Sequence, residues 1–392
     1  MKHALHLAWA YLAHQRLKTT VLVASVALIA FLPAALQLLV KRGEARMGAR
    51  AAATPLVVGR KGSPTELVLN ALYFRADVPS TIPYREVARV EKSGRARAIP
   101  LHVRFRSREA PIVGTSLDYF DLRGLRFQAG RQMTALGQCV LGARVAEEHG
   151  VGPGDSMVSN PEQVFDLAGS YPLRMRIAGV LAPNGTPDDR AVFVDVKTAW
   201  VIEGLAHGHD DVSKPEAAGQ VLSRKDGRIV ANASVKEYQE ITPENVEAFH
   251  FHGDPDEFPI TAIIAVPHDE RAGTLLQGEF QSPDEPQQIL EPTDVVDDLL
   301  DTVFAVKRYI VMGVAIVGLG TLATMALVFG LSIQLRRREI ETMRKIGGAR
   351  GRIGLVLALE IVAVLALGLL VAGILVAVTG WFADALVESA IR

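Results

Sequence analysis

Three stretches of the chain lose the alternation of apolar and polar positions altogether. Residues 21–40 read VLVASVALIAFLPAALQLLV, twenty positions without a charge. That is about the length needed to cross ~30 Å of hydrocarbon. It exceeds the 7–15-residue apolar core of a secretory signal, and no small-x-small site closes it before Lys41-Arg42. Pro33 lies inside it, which membrane helices tolerate. A second stretch runs over 309–335 and a third over 353–381, the latter interrupted by one acid, Glu360. Nothing between 41 and 306 approaches these lengths, so the pattern predicts three spanning helices.

Between the first two helices the pattern changes. Short β-like runs recur (ARAIPLHVRF, APIVGTS, QCVLG, RMRIAGVLA, RAVFVDV, ITAIIAVP), alternating with short helix-like pieces such as ARVAEEHG and DVVDDLLDTV. This predicts an α+β domain over 41–306, inserted between two membrane helices. Ser63-Pro64-Thr65-Glu66 reads as a capping box with proline at the first helical position. The stretch from about 204 to 245 is polar and gives no element. The expected organisation is thus a surface helix at 1–20, helix one at 21–40, the α+β domain, helix two at 309–335, a loop at 336–352, helix three at 353–381 and a short tail at 382–392. The fold class is an α-helical transmembrane bundle with a large α+β extracytoplasmic domain.

Charge fixes the expected orientation. The loop Arg336–Arg352 holds seven basic residues against two acids and should be cytoplasmic. Residues 41–306 and the C-terminus then lie outside. Over the whole chain the net charge is -1 with 6% aromatics, which argues against a nucleic-acid partner. A single cysteine, Cys139, excludes an internal disulfide and a cysteine-based zinc site. No GxxxxGK[ST] run occurs, and Gly59-Arg60-Lys61-Gly62 lacks that spacing, so no nucleotide hydrolysis is expected of the chain itself. No HExxH motif or Ser-His-Asp order appears either, and no enzyme activity is expected.

Within the basic loop, Ile340, Met343 and Ile346 fall on one helical stripe, flanked by Arg338, Glu339, Glu341 and Arg344 and stopped by Gly347-Gly348. A lipid-gripping anchor explains the arginines. A docking helix for a cytoplasmic partner explains the stripe and the glycines as well. Glu360, within helix three, is an intramembrane acid and so a functional candidate. The plainer reading pairs it with an arginine of the loop, Arg344 or Arg352. Ala366, Gly373 and Gly380, and Gly313 and Gly320, recur at intervals of seven, as helix-packing faces do. Two histidine pairs, His207/His209 and His250/His252 with Asp254 nearby, are candidate Zn²⁺ ligands, because residues two apart on a strand share a face. The rival reading is a solvated polar loop.

RRREIETMRKIGGARGRIGLVLALE resembles the loop after the second membrane helix of FtsX/MacB-type permeases. SLDYFDLRGLRFQAGR, CVLGARVAEEHGVGPGD and RIAGVLAPNGTPDDRAVFVDV resemble, in order, segments of that family's extracytoplasmic domain. LAWAYLAHQRLKTT resembles its N-terminal surface helix. The resemblance implies that Arg338, Glu339, Ile340, Glu341, Met343, Arg344, Ile346 and Gly347 form a coupling helix. It would contact a separate cytoplasmic ABC ATPase, which supplies ATP and Mg²⁺ chemistry. It also implies a second permease copy, an inner-membrane location, and an adaptor or substrate protein outside. The family pattern has four spanning helices where this sequence has three. The contrasting expectation is a non-transporting membrane-anchored regulator or sensor whose outer domain controls another protein.

Overall fold

The computed structural model describes residues 2–390 apart from 76–77, 162–171, 209–220, 226–227, 232–238 and 346–349. The chain opens with helices α1 (Lys2–His14) and α2 (Arg16–Ala52). Then follow β1 (Leu56–Arg60), α3 (Pro64–Tyr73), β2 (Ile82–Pro83), α4 (Arg85–Lys92), β3 (Ala96–Ser107), β4 (Ala110–Thr115), α5 (Asp118–Arg123) and β5 (Phe127–Gly130). Next come β6 (Gln138–Leu141), α6 (Ala143–His149), β7 (Ser156–Val158), β8 (Leu173–Leu181), β9 (Val192–Asp195) and α7 (Val196–Ile202). The chain continues through β10 (Ala206–Gly208), β11 (Val221–Lys225), β12 (Arg228–Ala231), β13 (Gln239–Glu240), β14 (Phe249–Phe251), β15 (Pro259–Ile260), β16 (Ala262–Pro267), α8 (Glu270–Glu279) and β17 (Gln287–Leu290). It closes with α9 (Pro292–Leu335), α10 (Arg337–Lys345) and α11 (Arg350–Ala390). Two compact units result: Gly48–Asp297, and Met1–Met47 with Asp298–Arg392.

The first unit is a mixed sheet in the order β13-β8-β6-β9-β4-β3-β16-β1-β17, with β5 and β7 also paired to β8. The pairs β4/β9, β6/β8 and β8/β13 run parallel and the others antiparallel. Each predicted β-run lies on one of these strands. The alternation that made them visible puts Ile99, Leu101, Ile112, Leu141, Ile177 and Val194 into the interior. Two apolar clusters form the core, one around Ile112, Cys139, Leu141 and Met175, the other around Val58, Ile82, Trp200 and Ile263. The Ser63 cap is present: its hydroxyl accepts from Glu66 N at 3.2 Å, and α3 stops where Phe74 turns left-handed (φ 56°).

Three of the sequence expectations need correction here. The helix containing 21–40 starts at Arg16 and continues to Ala52, so the sheet begins later than 41. DVVDDLLDTV is not a separate helix of the α+β domain. It opens the 44-residue helix α9, because no glycine or proline interrupts the chain between Pro292 and Leu335 except glycines already inside the apolar stretch. The polar region 204–245 does carry elements, β10 to β13, short strands too polar to register as a hydrophobic alternation.

The other unit is helical. Three helices, α2, α9 and α11, contain stretches long and apolar enough to cross a membrane. Large apolar side chains such as Leu28, Tyr309, Ile316, Leu319, Leu327, Leu369, Leu370 and Trp381 are exposed on them. A soluble protein rarely leaves contiguous apolar surface of this kind in water. Leu12, Leu22, Met325, Phe329 and Val364 form the buried contact among α1, α2, α9 and α11. The close approaches use glycines other than those the seven-residue spacing selects. A Cβ on Gly368 would sit 2.6 Å from Val26 Cβ, and one on Gly318 3.3 Å from Ile29. Gly380 keeps an ordinary 3.4 Å contact with Leu38, while Gly313, Gly320 and Gly373 meet nothing within 4 Å. On an all-apolar helix, spacing alone does not distinguish a lipid-facing glycine from a packed one.

Candidate functional site

The basic loop folds as read: Arg337–Lys345 is a helix, α10, between α9 and α11. Its first turn continues from α9, since Arg336 N donates to Ser332 O at 3.1 Å and Ile340 N to Arg336 O at 3.0 Å. Arg338, Glu341 and Thr342 are exposed and Ile340 is half-buried. Arg337 and Glu341 approach to 3.6 Å, but both are solvated, so this pair contributes little. The side chains of Glu339, Met343 and Arg344 lie outside the described residues, as do Ile346 and Gly347 entirely.

At the junction of α9 and α10 sits Arg336, the first residue of the basic loop. Arg336 is 9% exposed, and its Nη1 donates to Glu360 Oε1 at 3.0 Å; Glu360 is 2% exposed. The guanidinium also lies 3.9 Å from the centre of the Tyr11 ring. Nearby, Lys18 Nζ donates to Ser332 Oγ and lies 5.0 Å from the Phe329 ring. The partner of Glu360 is therefore Arg336, in place of the expected Arg344 or Arg352. The reason is positional. Arg336 is the one basic residue adjoining the last apolar position, Leu335, and a charge held this far from solvent persists only when paired. The pair joins the start of α10 to α11, while Tyr11 brings in α1.

A second buried constellation lies within the α/β unit. Arg50, in the last turn of α2, is 7% exposed. Its Nη1 reaches Asp188 Oδ2 at 2.8 Å and its Nη2 reaches Asp188 Oδ1 at 2.9 Å. Nη2 also donates to the Tyr119 hydroxyl at 2.9 Å, and Nε donates to Leu72 O. Tyr119 donates in turn to Asp188 Oδ1 at 2.7 Å, and Thr186 Oγ1 to Asp188 Oδ2 at 2.9 Å. Arg123 finishes the helix end, donating to Thr54 Oγ1 at 2.8 Å and to Ala53 O at 3.4 Å. Phe74 and Phe193 wall the site, the Arg50 guanidinium lying 5.4 Å from the Phe74 ring. Burial by itself would raise the Asp188 carboxyl. The Arg50 charge and the hydrogen bonds from Arg50 and Tyr119 overcome it and hold the group below its ordinary range. Burial pushes the Tyr119 hydroxyl up, and Asp188 adds to that.

Sequence reasoning missed this socket, although its parts lie in the segments that carried the family resemblance. Tyr119 belongs to SLDYFDLRG and Asp188 to PNGTPDDR. The segment between them, CVLGARVAEEHGVGPGD, supplies Gly142, where a Cβ would lie 2.2 Å from Asp188 O, so only glycine lets the turn at Pro187–Arg190 close down. The signal that could have found Arg50 is a lone arginine between alanines, in GARAAAT, just before the first strand.

Of the histidine candidates, His250 and His252 lie on and just after β14, exposed, with Asp254 beyond them. Asp254 Oδ1 accepts from Asp256 N at 3.0 Å, capping the turn at Pro255–Glu257. The register pairs His207 with His250; the His207 side chain, and all of His209, lie outside the described residues. Among the described residues no three histidine, cysteine, aspartate or glutamate groups gather at metal-binding geometry.

A mixed α/β unit joined in sequence to three membrane-length apolar helices defines a membrane protein of the permease type. Residues 20–224, over half of the chain, match the MacB-like periplasmic core domain, and the chain belongs to that family, among the FtsX/MacB-type permeases. Two solved structures are similar at low identity. The periplasmic region of MacB from Actinobacillus actinomycetemcomitans is 11% identical, with a TM-score of 0.36 over 63% of this chain and 92% of that one. The extracellular domain of the noncanonic ABC-type transporter YknZ from Gram-positive bacteria is 12% identical, with a TM-score of 0.31 over 60% and 98%. No curated protein matches the chain.

Proposed function

We propose that this chain is the membrane subunit of an ABC-type transporter or mechanotransmission system. A separate cytoplasmic ATPase supplies the energy, and the α/β domain moves in response on the far side of the inner membrane. Family membership supports the class, since MacB-like periplasmic domains are parts of ABC permease subunits. The observation that carries the coupling role is α10. It is a nine-residue amphipathic helix set between two membrane-length helices and fixed at its root by Arg336 and Glu360. A helix that only gripped lipid would not need a buried ion pair at its base. In this reading the stripe of Ile340, Met343 and Ile346 seats on the ATPase, with Arg338, Glu341 and Arg344 at the rim. Two permease copies serve two ATPases, and the α/β domain engages an adaptor or substrate protein.

Apolar anchors at the centre of an interface commonly carry about 2 kcal/mol or more each, and solvated rim charges less. Met343→Glu is therefore expected to release the ATPase during mild-detergent purification and to abolish stimulated ATP hydrolysis, while the protein still inserts in the membrane. Co-purification of the ATPase at wild-type yield with this variant would sink the coupling role and leave α10 as a lipid anchor.

A further inference from the structure

We propose that the helical unit carries a binding site for the phosphate of an anionic phospholipid, with Lys18 as its ligand and Arg336 as a supporting charge beside it. The inference rests on the packing of α1, α2, α9 and α11 and holds whether or not α10 docks an ATPase.

Lys18 lies in the first turn of α2 and is half-buried. Its Nζ donates to Ser332 Oγ on α9 and sits 5.0 Å from the centre of the Phe329 ring. Among the described residues these are its contacts. An ammonium has three donors, and here one is used, on a neutral hydroxyl. Ser332 precedes Arg336 by one helical turn, and Arg336 N donates to Ser332 O at 3.1 Å. Residues four apart on a helix are neighbours on one face, so the Arg336 charge lies close to that of Lys18. The Arg336 and Glu360 charges both reach Lys18. Glu360, however, is taken by Arg336 Nη1 at 3.0 Å. Two cations thus stand against one carboxylate, beside the buried side chains of Leu12, Leu22, Met325 and Phe329. Apolar surroundings lower the local dielectric, and a positive charge left over there attracts a further anion strongly.

The surroundings select a lipid as the bearer of that anion. On α2 the exposed apolar side chains Leu17, Val21, Leu28 and Leu32 recur at intervals of four and seven, a single stripe that begins beside Lys18. An acyl chain laid along this stripe brings its phosphate to the Lys18 ammonium. Trp9 on α1 is 61% exposed, and tryptophan favours the level of the lipid headgroups. A zwitterionic phospholipid would bring its own cation to a place already in positive excess. A monoanionic one, such as phosphatidylglycerol, neutralises it.

The test uses the full chain in detergent, delipidated and titrated with phosphatidylglycerol or phosphatidylcholine, with bound lipid counted by native mass spectrometry. One phosphatidylglycerol per chain should be retained in preference to phosphatidylcholine. Lys18→Gln, which can keep a hydrogen bond to Ser332, should weaken that binding at least about fivefold, the loss of one lysine's attraction near an anionic surface. Lys18→Arg keeps the charge and should bind as the wild type, so that a loss in Lys18→Gln reports charge rather than folding. Arg16→Gln removes an equal charge from an exposed position about 200° around the same helix, and should change binding about twofold or less. Inorganic phosphate at the same concentrations should not displace the lipid. The proposal fails if phosphatidylcholine binds equally well, or if Lys18→Gln weakens binding no more than Arg16→Gln does. It fails too if Lys18→Arg loses as much as Lys18→Gln, or if inorganic phosphate displaces the lipid, which would mark a site for the free anion.

Discussion

Arg50 and Asp188, 138 residues apart in sequence, meet through two parallel hydrogen bonds of 2.8 and 2.9 Å, with side chains only 6% and 1% exposed. This planar, two-pronged geometry is what arginine offers and lysine does not. Four hydrogen bonds run from the guanidinium, two to Asp188 and one each to Tyr119 and Leu72 O. A charged group so enclosed is tolerated because an opposite charge and hydrogen bonds meet it.

Asp188→Asn tests that account through pH. It leaves Arg50 without its counter-charge, and breaking a buried pair costs about 3–5 kcal/mol. The folded-state carboxyl is held low, whereas the unfolded one titrates at about 3.9. The pair's contribution is therefore fully present above about pH 4 and is lost as pH falls through the lower folded-state value. Melting curves of wild type and variant in detergent should differ by a constant gap at neutral pH, and the gap should narrow below about pH 4. A gap that stays constant down to pH 3 would remove the ion pair as its cause.

Arg336 and Glu360 call for a different comparison. Arg336→Ala leaves a carboxylate 2% exposed without a partner, so it should destabilise the protein by several kcal/mol, on the order of 3–5. The double variant Arg336→Met, Glu360→Gln removes both charges and should recover most of that loss. Detergent melting temperatures and membrane yield read both. Equal stability of Arg336→Ala and wild type would mean that the pair does not secure the base of α10.

Why some of this was legible in the sequence and some was not follows from the range of each signal. The cap at Ser63, the strands around Ile99, Ile112 and Ile177, and the helix at 337–345 are local, each written in fewer than about fifteen adjacent residues. The membrane helices are legible for the same reason. What failed needed tertiary information. Gly368 rather than Gly373 packs on helix one, but both sit in a run with no polar face to mark the difference. Glu360 is a visible anomaly, yet its partner depends on which arginine the helix junction turns inward. Arg50 and Asp188 are each unremarkable in sequence. Only the sheet brings the turn at Pro187–Arg190 beside α2.

The orientation proposed for the chain can be checked with its lone native cysteine left in place. Cys139 is fully buried on β6, and burial pushes its thiol up to about 12. At neutral pH almost none of it is thiolate, the reactive form, and no reagent reaches it. A membrane-impermeant maleimide should therefore leave the native wild type unlabelled and modify one thiol per chain after denaturation. Against that silent background, a cysteine at Glu109, exposed in the turn between β3 and β4, should label in sealed cells. A cysteine at Thr342, equally exposed on α10, should label only after the membrane is opened. The contrast rests on the side of the membrane alone, since both positions are solvent-facing. Labelling at Thr342 in sealed cells would place the seven-positive loop outside and take the ATPase-coupling role with it.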